Sequence, residues 1–501
     1  MFRLALRGRA TRHIGATRTR CLMSSSKQAA SKSNLGSFQE VISQYEREES
    51  KNRRHSAPRP PRTESNSSSR TVAPGHIDDP QLVSWDVTVF AQPQHRRKAF
   101  SASHYVSAND AIPEWNGTSL LMYVDHEGSN ATQSRKPVPE RWLRDHCQCN
   151  RCTHPDTKQR QYETFRRGPP PQIQNCVIQS RGSSPSVKVE WRDGHESVYP
   201  LDFFQGRHSA HKEAYRRGIT SHDLWTSKDM TAQPPSVDYR DVQSFGVSAL
   251  LRNIRKFGFC FVAGCPVTPE ATQALLERIG PIRNTHYGGF YDFTSDMASK
   301  DTAYTDQALD VHTDTTYFSD PAGLQAFHML SHTDGEGGES VLVDGFNAAS
   351  KLFEDDEGDA YEQLARTGIY WHASGNEDVS VQPHTAFPVL EHDPVRKHLF
   401  RVRWNNSDRA GIHASLDKVD EWYKCASKFN NILTDRRMQY WFQLQPGTPL
   451  IFDNWRILHG RSQFTGKRRM CGGYINYDDY ISKYRLTNYG RDVVLSTTFT
   501  G

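Results

Sequence analysis

His312 and Asp314 are separated by one residue in the stretch A-L-D-V-H-T-D-T-T-Y-F, residues 308–318. Alternate side chains of an extended strand project from the same face, so an imidazole and a carboxylate at this spacing can bind one metal ion. The same spacing recurs elsewhere, for example at His332 and Asp334, and is therefore a weak signal alone. Residues 308–318 are rich in β-branched and aromatic side chains, which favours a strand, whereas His332 precedes a glycine-rich turn sequence. We therefore select His312 and Asp314 as candidate metal ligands.

A third ligand is expected from a second strand that faces the first. His459 follows an apolar run in T-P-L-I-F-D-N-W-R-I-L-H-G-R, residues 448–461. Two histidines and one carboxylate on one face of a metal ion form the facial triad of non-haem Fe(II) oxygenases, although a single histidine at a strand end is more often structural. Arg468 and Arg469 follow closely, and a bidentate arginine in this position can hold the distal carboxylate of 2-oxoglutarate. These residues together favour an iron oxygenase.

Several longer runs carry a resemblance to a known family. They are F-T-S-D-M (293–297), D-T-A-Y-T (301–305), H-T-D-T-T-Y-F (312–318), L-V-D-G-F (342–346), D-N-W-R-I-L-H-G-R (453–461) and F-T-G-K-R-R-M-C-G-G-Y (464–474). In this order they closely resemble the γ-butyrobetaine/trimethyllysine dioxygenase family of Fe(II)- and 2-oxoglutarate-dependent oxygenases, over residues 140–490. The resemblance implies Fe(II) at the three candidate ligands, 2-oxoglutarate as cosubstrate and ascorbate as reductant. It also implies C3 hydroxylation of free N6,N6,N6-trimethyllysine, with succinate and CO2 as further products.

The strand signals predict a mostly β catalytic domain with some helices, a double-stranded β-helix or jelly roll in which facing strands bring His312 and His459 together. Helical spacing predicts a helix over residues 249–257. Thr268 and Pro269 predict a helix start, because a capping hydroxyl precedes a proline at the first helical position. A further helix is predicted at about residues 416–432. Its apolar face is formed by Val419, Trp422, Tyr423, Ala426 and Phe429.

The family pattern distinguishes between the two neighbouring arginines. In that pattern the cosubstrate arginine precedes a glycine by four residues and a tyrosine by six. Counting back from Gly472 and Tyr474 gives Arg468. If the strand alternates regularly, Arg469 faces the other way. The argument depends on register, so Arg469 stays an alternative.

Three tyrosines precede the first iron ligand: Tyr287, Tyr291 and Tyr304. Aromatic residues at matching positions of the butyrobetaine enzymes enclose a trimethylammonium group, which ring faces hold with ~0.5–2 kcal/mol each. The resemblance also implies that Asp301, which matches an asparagine of those enzymes, pairs with the α-ammonium group of trimethyllysine. Asn405 or Asn406 is expected to donate to the α-carboxylate. The alternatives are tyrosines of an ordinary core and an Asp301 that caps a turn.

Three cysteines lie within one short segment: Cys147, Cys149 and Cys152. Their spacing suits one tetrahedral zinc ion, which needs a fourth ligand. His195 is a candidate because Asp193 and Gly194 predict a tight hairpin turn just before it, with His146 and His154 as rivals. The C-x-C-x-x-C and D-G-H elements resemble the small N-terminal domain of the same family. That resemblance implies a structural zinc held by the three cysteines and His195.

Basic residues are concentrated near the N-terminus. The first 70 residues hold 15 of the 62 Lys and Arg but 5 of the 57 acidic residues, so the remaining chain has 47 basic and 52 acidic side chains. This balance argues against a nucleic-acid-binding face. The chain also lacks an apolar run of the ~18–20 residues that a membrane helix needs. Residues 1–39 are arginine-rich and acid-free, which predicts import into the mitochondrial matrix.

Four segments are predicted along the chain. They are a targeting segment at 1–39, a disordered linker at 40–75, a small N-terminal zinc-binding domain at 76–235 and the catalytic jelly-roll domain at 236–495. The hydrophobic fraction of 36% is low for a chain folded throughout. The Ser-, Arg- and Pro-rich linker cannot bury enough apolar surface to fold. The sequence does not decide between a monomer and a homodimer.

Other functions compete with trimethyllysine hydroxylation. γ-Butyrobetaine hydroxylation shares the iron chemistry and the aromatic cage, and its substrate differs only at the opposite end. A cupin-type histone demethylase also uses His-x-Asp, but it needs a peptide groove and lacks the zinc-loop order. In a non-catalytic zinc-loop binding protein, His312, Asp314 and His459 would be structural. Iron-dependent succinate formation from 2-oxoglutarate distinguishes the last case from the enzymes.

Overall fold

The computed structural model describes residues 113–124, 134–165, 168–179, 185–205, 222–294, 305–355, 358–394, 397–413 and 415–500. The predicted targeting segment and linker lie outside these residues, as do Asp301 and Tyr304. None of the helices within the described ranges is long and apolar enough to cross a membrane.

Two three-stranded antiparallel sheets form the N-terminal unit. Its elements are β1 (Glu114–Trp115), β2 (Leu120–Val124), β3 (Ser134–Pro137), α1 (Glu140–Asp145), β4 (Ile173–Gln179), β5 (Ser186–Trp191), β6 (Glu196–Pro200) and α2 (Leu201–Gln205). Strands β1–β3 form one sheet and β4–β6 the other. Alternate side chains of β5, including Val187 and Val189, are buried in the core of this unit. The predicted hairpin turn is present between β5 and β6, with Gly194 at a φ of +75°.

The larger unit contains the remaining elements. They are α3 (Ser227–Ala232), β7 (Ser236–Asp238), α4 (Tyr239–Phe245), α5 (Ser248–Phe257), β8 (Phe259–Ala263), α6 (Pro269–Glu277), β9 (Tyr291–Thr294), β10 (Leu309–His312), β11 (Leu324–Thr333), β12 (Ser340–Asp344), α7 (Gly345–Asp355), α8 (Asp359–Arg366), β13 (Leu390–His392), β14 (Leu399–Val402), α9 (Leu416–Thr434), β15 (Tyr440–Phe442), β16 (Leu450–Asp453), β17 (Ile457–Arg461), β18 (Lys467–Ile475), α10 (Tyr477–Asn488) and α11 (Arg491–Thr500). Two sheets dominate: β7-β8-β16-β11-β18-β9 and β10-β17-β12-β15.

The two large sheets pack face to face. Their shared core contains Phe259 and Phe452 from the six-stranded sheet and Leu342 and Ile457 from the four-stranded sheet. Strands β12 and β16 are buried on both faces, as their continuous apolar runs V-L-V and L-I-F indicate. The structure therefore has the expected mixture of sheets and helices, while the jelly-roll winding stays a prediction.

Helices cover the outer faces of both sheets. Helices α5, α6 and α10 pack on the six-stranded sheet, and α7, α8 and α9 pack beside the four-stranded one. Helix α6 begins as predicted, with Pro269 as its first residue and Thr268 as its cap. Oγ1 of Thr268 accepts a hydrogen bond from the backbone N–H of Ala271. Helix α5 ends at Phe257 and is followed by Gly258, whose φ is +85° and where an added Cβ would clash with the side chain of Ile457. Only glycine fits this close approach of helix and strand.

Helix α9 extends the predicted helix to Thr434. Trp422, Ala426 and Phe429 are buried as predicted, but Tyr423 is 44% exposed. Successive helical residues are about 100° apart, so Trp422 and Tyr423 cannot both face the core. Cys425 is buried on that face instead.

The segment before β7 packs on the larger unit. Trp225 and Met230 lie in the core between the two large sheets. Nε1 of Trp225 also donates a hydrogen bond to the carbonyl oxygen of Phe257 at 2.6 Å. Residues 222–235, which were expected in the small domain, are therefore part of the larger unit.

Candidate active site

The last residue of β10 lies directly opposite a residue of β17. His312 and His459 are Cα partners in this antiparallel pair, and their ring centroids are 4.4 Å apart. Adjacent antiparallel strands place paired side chains close together on one face of a sheet. The two histidines are therefore brought together by neighbouring strands of one sheet, not by facing strands of two sheets as predicted.

Asp314 lies in a turn beyond the end of β10, not within the strand as predicted. Thr315 follows it with a φ of +58°, which is rare for a β-branched residue. The side chain of Asn454 fixes this turn, because it accepts a hydrogen bond from the N–H of Asp314 at 2.8 Å and donates to its carbonyl at 3.0 Å. As a result, Oδ1 of Asp314 is 3.2 Å from Nε2 of His312 and 3.8 Å from Nε2 of His459.

The side chains of His312, Asp314 and His459 suit a single metal ion. Their ligand atoms lie within 4.8 Å of one another. Nδ1 of His312 donates to the carbonyl oxygen of Asp310 at 2.7 Å, so Nε2 is the ring nitrogen that faces Asp314. Burial lowers the pKa of His312, but hydrogen bonding and charge attraction to Asp314 outweigh it and raise the pKa, so Nε2 must lose its proton to bind a metal. Burial, together with the charge of His312, lowers the pKa of His459 to about 3. His459 is therefore a neutral imidazole, the form in which histidine binds metals.

Two further side chains orient the carboxylate of Asp314. Gln325 Nε2 and the hydroxyl of Tyr474 donate to Oδ2 at 2.6 and 2.7 Å, which leaves Oδ1 nearest the histidines. Burial raises the pKa of Asp314, but hydrogen bonding with His312 and the nearby imidazoles outweigh it and hold the pKa below its usual range. The sequence alone did not identify Gln325, because its role depends on β11 pairing with β18 opposite Tyr474.

Arg468 and Arg469 occupy opposite faces of β18. Arg468 is 2% exposed and lines the cavity that contains the candidate metal ligands. Burial and the charge of Arg461 lower the pKa of Arg468 to about 10. Arg469 forms an ion pair with Asp292 on the exposed side, with Nη2 and Oδ2 2.6 Å apart. Arg468 is therefore the one of the pair that can reach a ligand in the cavity.

The cavity has a volume of about 640 Å³ and is partly lined by aromatic rings. Tyr287 and Tyr291, two of the tyrosines singled out in the sequence, both lie in its wall. The hydroxyl of Tyr291 donates to the carbonyl oxygen of Ala326 at 2.7 Å, which fixes the ring. Tyr474 adds a third ring, with its centroid 5.9 Å from that of Tyr291. These faces can hold a quaternary ammonium group.

Of the other candidate substrate residues, Asn405 lies within the described part of the chain and Asp301 and Tyr304 do not. Asn405 lines the cavity, but its Nδ2 donates to Oδ2 of Asp408 at 2.8 Å. It can bind a substrate carboxylate only through its remaining amide hydrogen or after exchanging this bond.

A second cluster in the N-terminal unit consists of Cys147, Cys149, Cys152 and His195. Nε2 of His195 is 3.4 Å from Sγ of Cys147 and 3.6 Å from Sγ of each of the other two cysteines. These distances match the ~3.5 Å edge of a zinc tetrahedron with Zn–S near 2.3 Å and Zn–N near 2.0 Å. Arg144, which the sequence analysis missed, donates from Nη1 to Sγ of Cys152 at 2.9 Å and opposes the charge of thiolates.

The two rival histidines do not join this cluster. Nδ1 of His146 donates to the carbonyl oxygen of Trp142 at 2.7 Å. Nδ1 of His154 accepts from the backbone N–H of Asp156 at 3.2 Å. Nδ1 of each of these two histidines is therefore hydrogen-bonded to nearby backbone, whereas His195, just after the hairpin turn, lies beside the three thiols.

Comparison with known proteins gives the family. The model described as "Taurine catabolism dioxygenase TauD, TfdA family" matches residues 223–474, and "Gamma-butyrobetaine hydroxylase-like, N-terminal" matches residues 129–205. A trimethyllysine dioxygenase of Neurospora crassa is 45% identical, over 72% of this chain and 83% of the relative. The mitochondrial trimethyllysine dioxygenase of Mus musculus is 37% identical, over 69% and 81%. The gamma-butyrobetaine dioxygenase of Homo sapiens is 26% identical, over 70% and 90%.

The paired histidines, the oriented aspartate and the TauD match define an Fe(II)- and 2-oxoglutarate-dependent dioxygenase. Identity is higher to the trimethyllysine dioxygenases than to the butyrobetaine enzyme. The chain belongs to the trimethyllysine dioxygenase family. The resemblance that the sequence motifs carried is therefore confirmed.

Proposed function

We propose that the protein hydroxylates free N6,N6,N6-trimethyl-L-lysine at C3 with O2 and 2-oxoglutarate, giving 3-hydroxy-trimethyllysine, succinate and CO2. One observation carries the proposal: the cavity that contains His312, Asp314 and His459 also contains the buried Arg468 and a group of tyrosine rings. Metal, cosubstrate and cationic substrate thus have complementary groups within one cavity.

Each group in the cavity has a role that follows from its chemistry. His312, Asp314 and His459 hold Fe(II), which supplies the oxidising chemistry when bound with 2-oxoglutarate. Arg468 holds the distal carboxylate of the cosubstrate through a two-bond contact that burial strengthens. The rings of Tyr287 and Tyr291 hold the trimethylammonium group, and the family resemblance assigns Tyr304 to the same role. These contacts would orient the substrate between the tyrosine rings and the residues that would hold the iron.

The amino acid head of the substrate requires polar partners of its own. We assign the α-ammonium group to Asp301 and the α-carboxylate to Asn405, by charge-assisted hydrogen bonds. Butyrobetaine has a carboxylate but no α-ammonium group, so a fixed negative charge at Asp301 would disfavour it. This assignment makes substrate choice depend on one charge.

The proposal extends to the rest of the chain. The large unit is assigned the jelly-roll winding, and the small unit a structural zinc at Cys147, Cys149, Cys152 and His195. Four protein ligands leave that zinc no open position for catalysis. Ascorbate is the expected reductant. The arginine-rich residues 1–39 and the word "mitochondrial" in the name of the mouse relative support a location in the mitochondrial matrix.

Turnover assays of the full chain test this function. The protein is incubated with Fe(II), 2-oxoglutarate, ascorbate and O2, with free trimethyllysine and γ-butyrobetaine in parallel, and hydroxylated product and succinate are measured. We expect product from trimethyllysine, little from butyrobetaine and neither from His312→Ala. Preferred hydroxylation of butyrobetaine would reassign the substrate, and the absence of iron-dependent succinate would overturn the enzymatic function.

A further inference from the structure

Arg461, the last residue of β17, is a second, partly buried cation near Arg468. The guanidinium carbon of each lies 4.8 Å from the ring centroid of Phe464, so the two cations contact the same aromatic ring. Both arginines line the cavity, and Nε of each has no hydrogen-bond partner among the described residues. Burial lowers the pKa of each to about 10. Two like charges thus share a desolvated region that an anionic ligand would stabilise.

Arg461 is also attached to the chain segment that leads to the iron. Its Nη2 donates to the carbonyl oxygens of Thr305 and Gln307, at 2.7 and 2.8 Å. These residues precede β10, which ends at His312, and Gln307 lies in the cavity wall. One side chain therefore contacts both the arginine pocket and the segment beside the metal.

We propose that Arg461 is a positioning residue that transmits the binding of 2-oxoglutarate at Arg468 to the segment 305–307 and thereby raises the affinity for the substrate. This inference rests on the proposed function. Without an anion, repulsion between the guanidinium groups works against the arrangement in which Arg461 bridges Thr305 and Gln307. A carboxylate at Arg468 removes that repulsion and stabilises the bridge.

The coupling must act in both directions. If 2-oxoglutarate raises the affinity for trimethyllysine by some factor, trimethyllysine raises the affinity for 2-oxoglutarate by the same factor. A purely structural anchor would hold residues 305–307 equally well with and without the cosubstrate. Reciprocal coupling that depends on the charge of Arg461 therefore separates the two roles.

Binding measurements without turnover test the inference. In anaerobic Fe(II) protein, the iron-to-cosubstrate charge-transfer absorption reports 2-oxoglutarate binding, and calorimetry reports trimethyllysine binding with and without 2-oxoglutarate. The variants are Arg461→Gln and Arg461→Lys, with Arg469→Gln as the matched control because Arg469 pairs with Asp292 on the exposed face. Circular dichroism and the unfolding midpoint establish that each variant is folded.

We expect Arg461→Gln to weaken 2-oxoglutarate binding about tenfold, as for loss of an interaction with a charged group, and to abolish the coupling. Arg461→Lys keeps the charge and should retain most of the affinity, and Arg469→Gln should match the unmodified protein. Unchanged 2-oxoglutarate affinity or unchanged coupling in Arg461→Gln overturns the inference. If the unmodified protein gives no charge-transfer absorption, the proposed function itself fails.

Discussion

The hydroxyl of Tyr474 donates a 2.7 Å hydrogen bond to Oδ2 of Asp314, while the other carboxylate oxygen, Oδ1, lies near the two histidines. Gln325, the Cα partner of Tyr474 across the sheet, also donates to Oδ2. The two bonds hold the carboxylate plane so that Oδ1 stays beside Nε2 of His312. Partners of this kind fix the orientation of metal ligands.

Tyr474→Phe should therefore weaken iron binding while keeping the aromatic ring in the cavity. We expect a loss of about tenfold in Fe(II) affinity, the lower end of the range for removing a partner of a metal ligand. Metal titration of the apo-protein measures it. Tyr440→Phe is the control, because Tyr440 is buried in β15 and its ring is absent from the cavity wall. Equal affinities in the two variants would contradict the positioning role.

Arg468→Ala should mainly raise the 2-oxoglutarate concentration required for turnover. Loss of a charge-assisted contact corresponds to about tenfold or more in the KM for 2-oxoglutarate. Arg469→Ala removes only the exposed ion pair with Asp292, so its KM should change little. Steady-state kinetics with varied 2-oxoglutarate separates the two variants. A larger effect from Arg469→Ala would show that the assignment is wrong.

Zinc at the cysteine cluster should be structural. We expect metal analysis to find about one zinc per chain that survives chelation sufficient to remove iron, because the site offers four protein ligands. Cys149→Ser should lose this zinc and lower the unfolding midpoint, since metal binding free energy contributes to folding. Cys176→Ser, at a buried thiol outside the cluster, is the control. Loss of zinc without loss of stability would refute the structural role.

His328 should make the fold sensitive to acid. It is fully buried, and its Nε2 accepts a hydrogen bond from the backbone N–H of Gly447 at 3.0 Å. Burial lowers its pKa to about 4. An unfolded histidine has a pKa of ~6.5, so the unfolded state binds the proton more tightly. The contribution to stability is therefore complete above about pH 6.5 and is lost as the pH falls towards 4.

The loss should reach at most about 3 kcal/mol in the free energy of unfolding. Urea unfolding of the protein and of His328→Gln, between neutral and mildly acidic pH, measures the difference in slope. The variant should be less stable at neutral pH, but its stability should fall less on acidification. Parallel pH profiles for the two proteins would show that His328 does not titrate as proposed.

The sequence predicted the features that depend on neighbouring residues, but not those that depend on contacts between residues far apart in the chain. Thr268 before Pro269 marks a helix start by its own chemistry, and Gly194 marks a hairpin in the same way. The placement of Asp314 depends instead on a left-handed Thr315 and on Asn454, distant in sequence. The spacing of His312 and Asp314 thus led to a pair of residues that the structure does bring together, but through a turn and not through the strand geometry that was assumed.

Asp301 remains the proposed determinant of substrate choice, and its variant gives a sharp test. Asp301→Asn removes a negative charge that would pair with the α-ammonium group of trimethyllysine, so turnover should weaken by ~1.5–3 kcal/mol. Uncoupled decarboxylation of 2-oxoglutarate should persist, since it requires the iron ligands and Arg468 but not the substrate head. Rates of product and succinate formation, measured together, separate these effects.

Asp408→Asn is the matched comparison for Asp301→Asn, because Asp408 is a carboxylate of the described cavity wall. Its Oδ2 already accepts hydrogen bonds from Nδ2 of Asn405 at 2.8 Å and from Oγ1 of Thr316 at 3.3 Å. With these bonds retained by an amide oxygen, Asp408→Asn should affect trimethyllysine turnover less than Asp301→Asn. A larger loss of turnover in Asp408→Asn than in Asp301→Asn would show that Asp408, not Asp301, pairs with the α-ammonium group. The negative charge that the substrate requires would then be the carboxylate that accepts hydrogen bonds from Asn405 and Thr316.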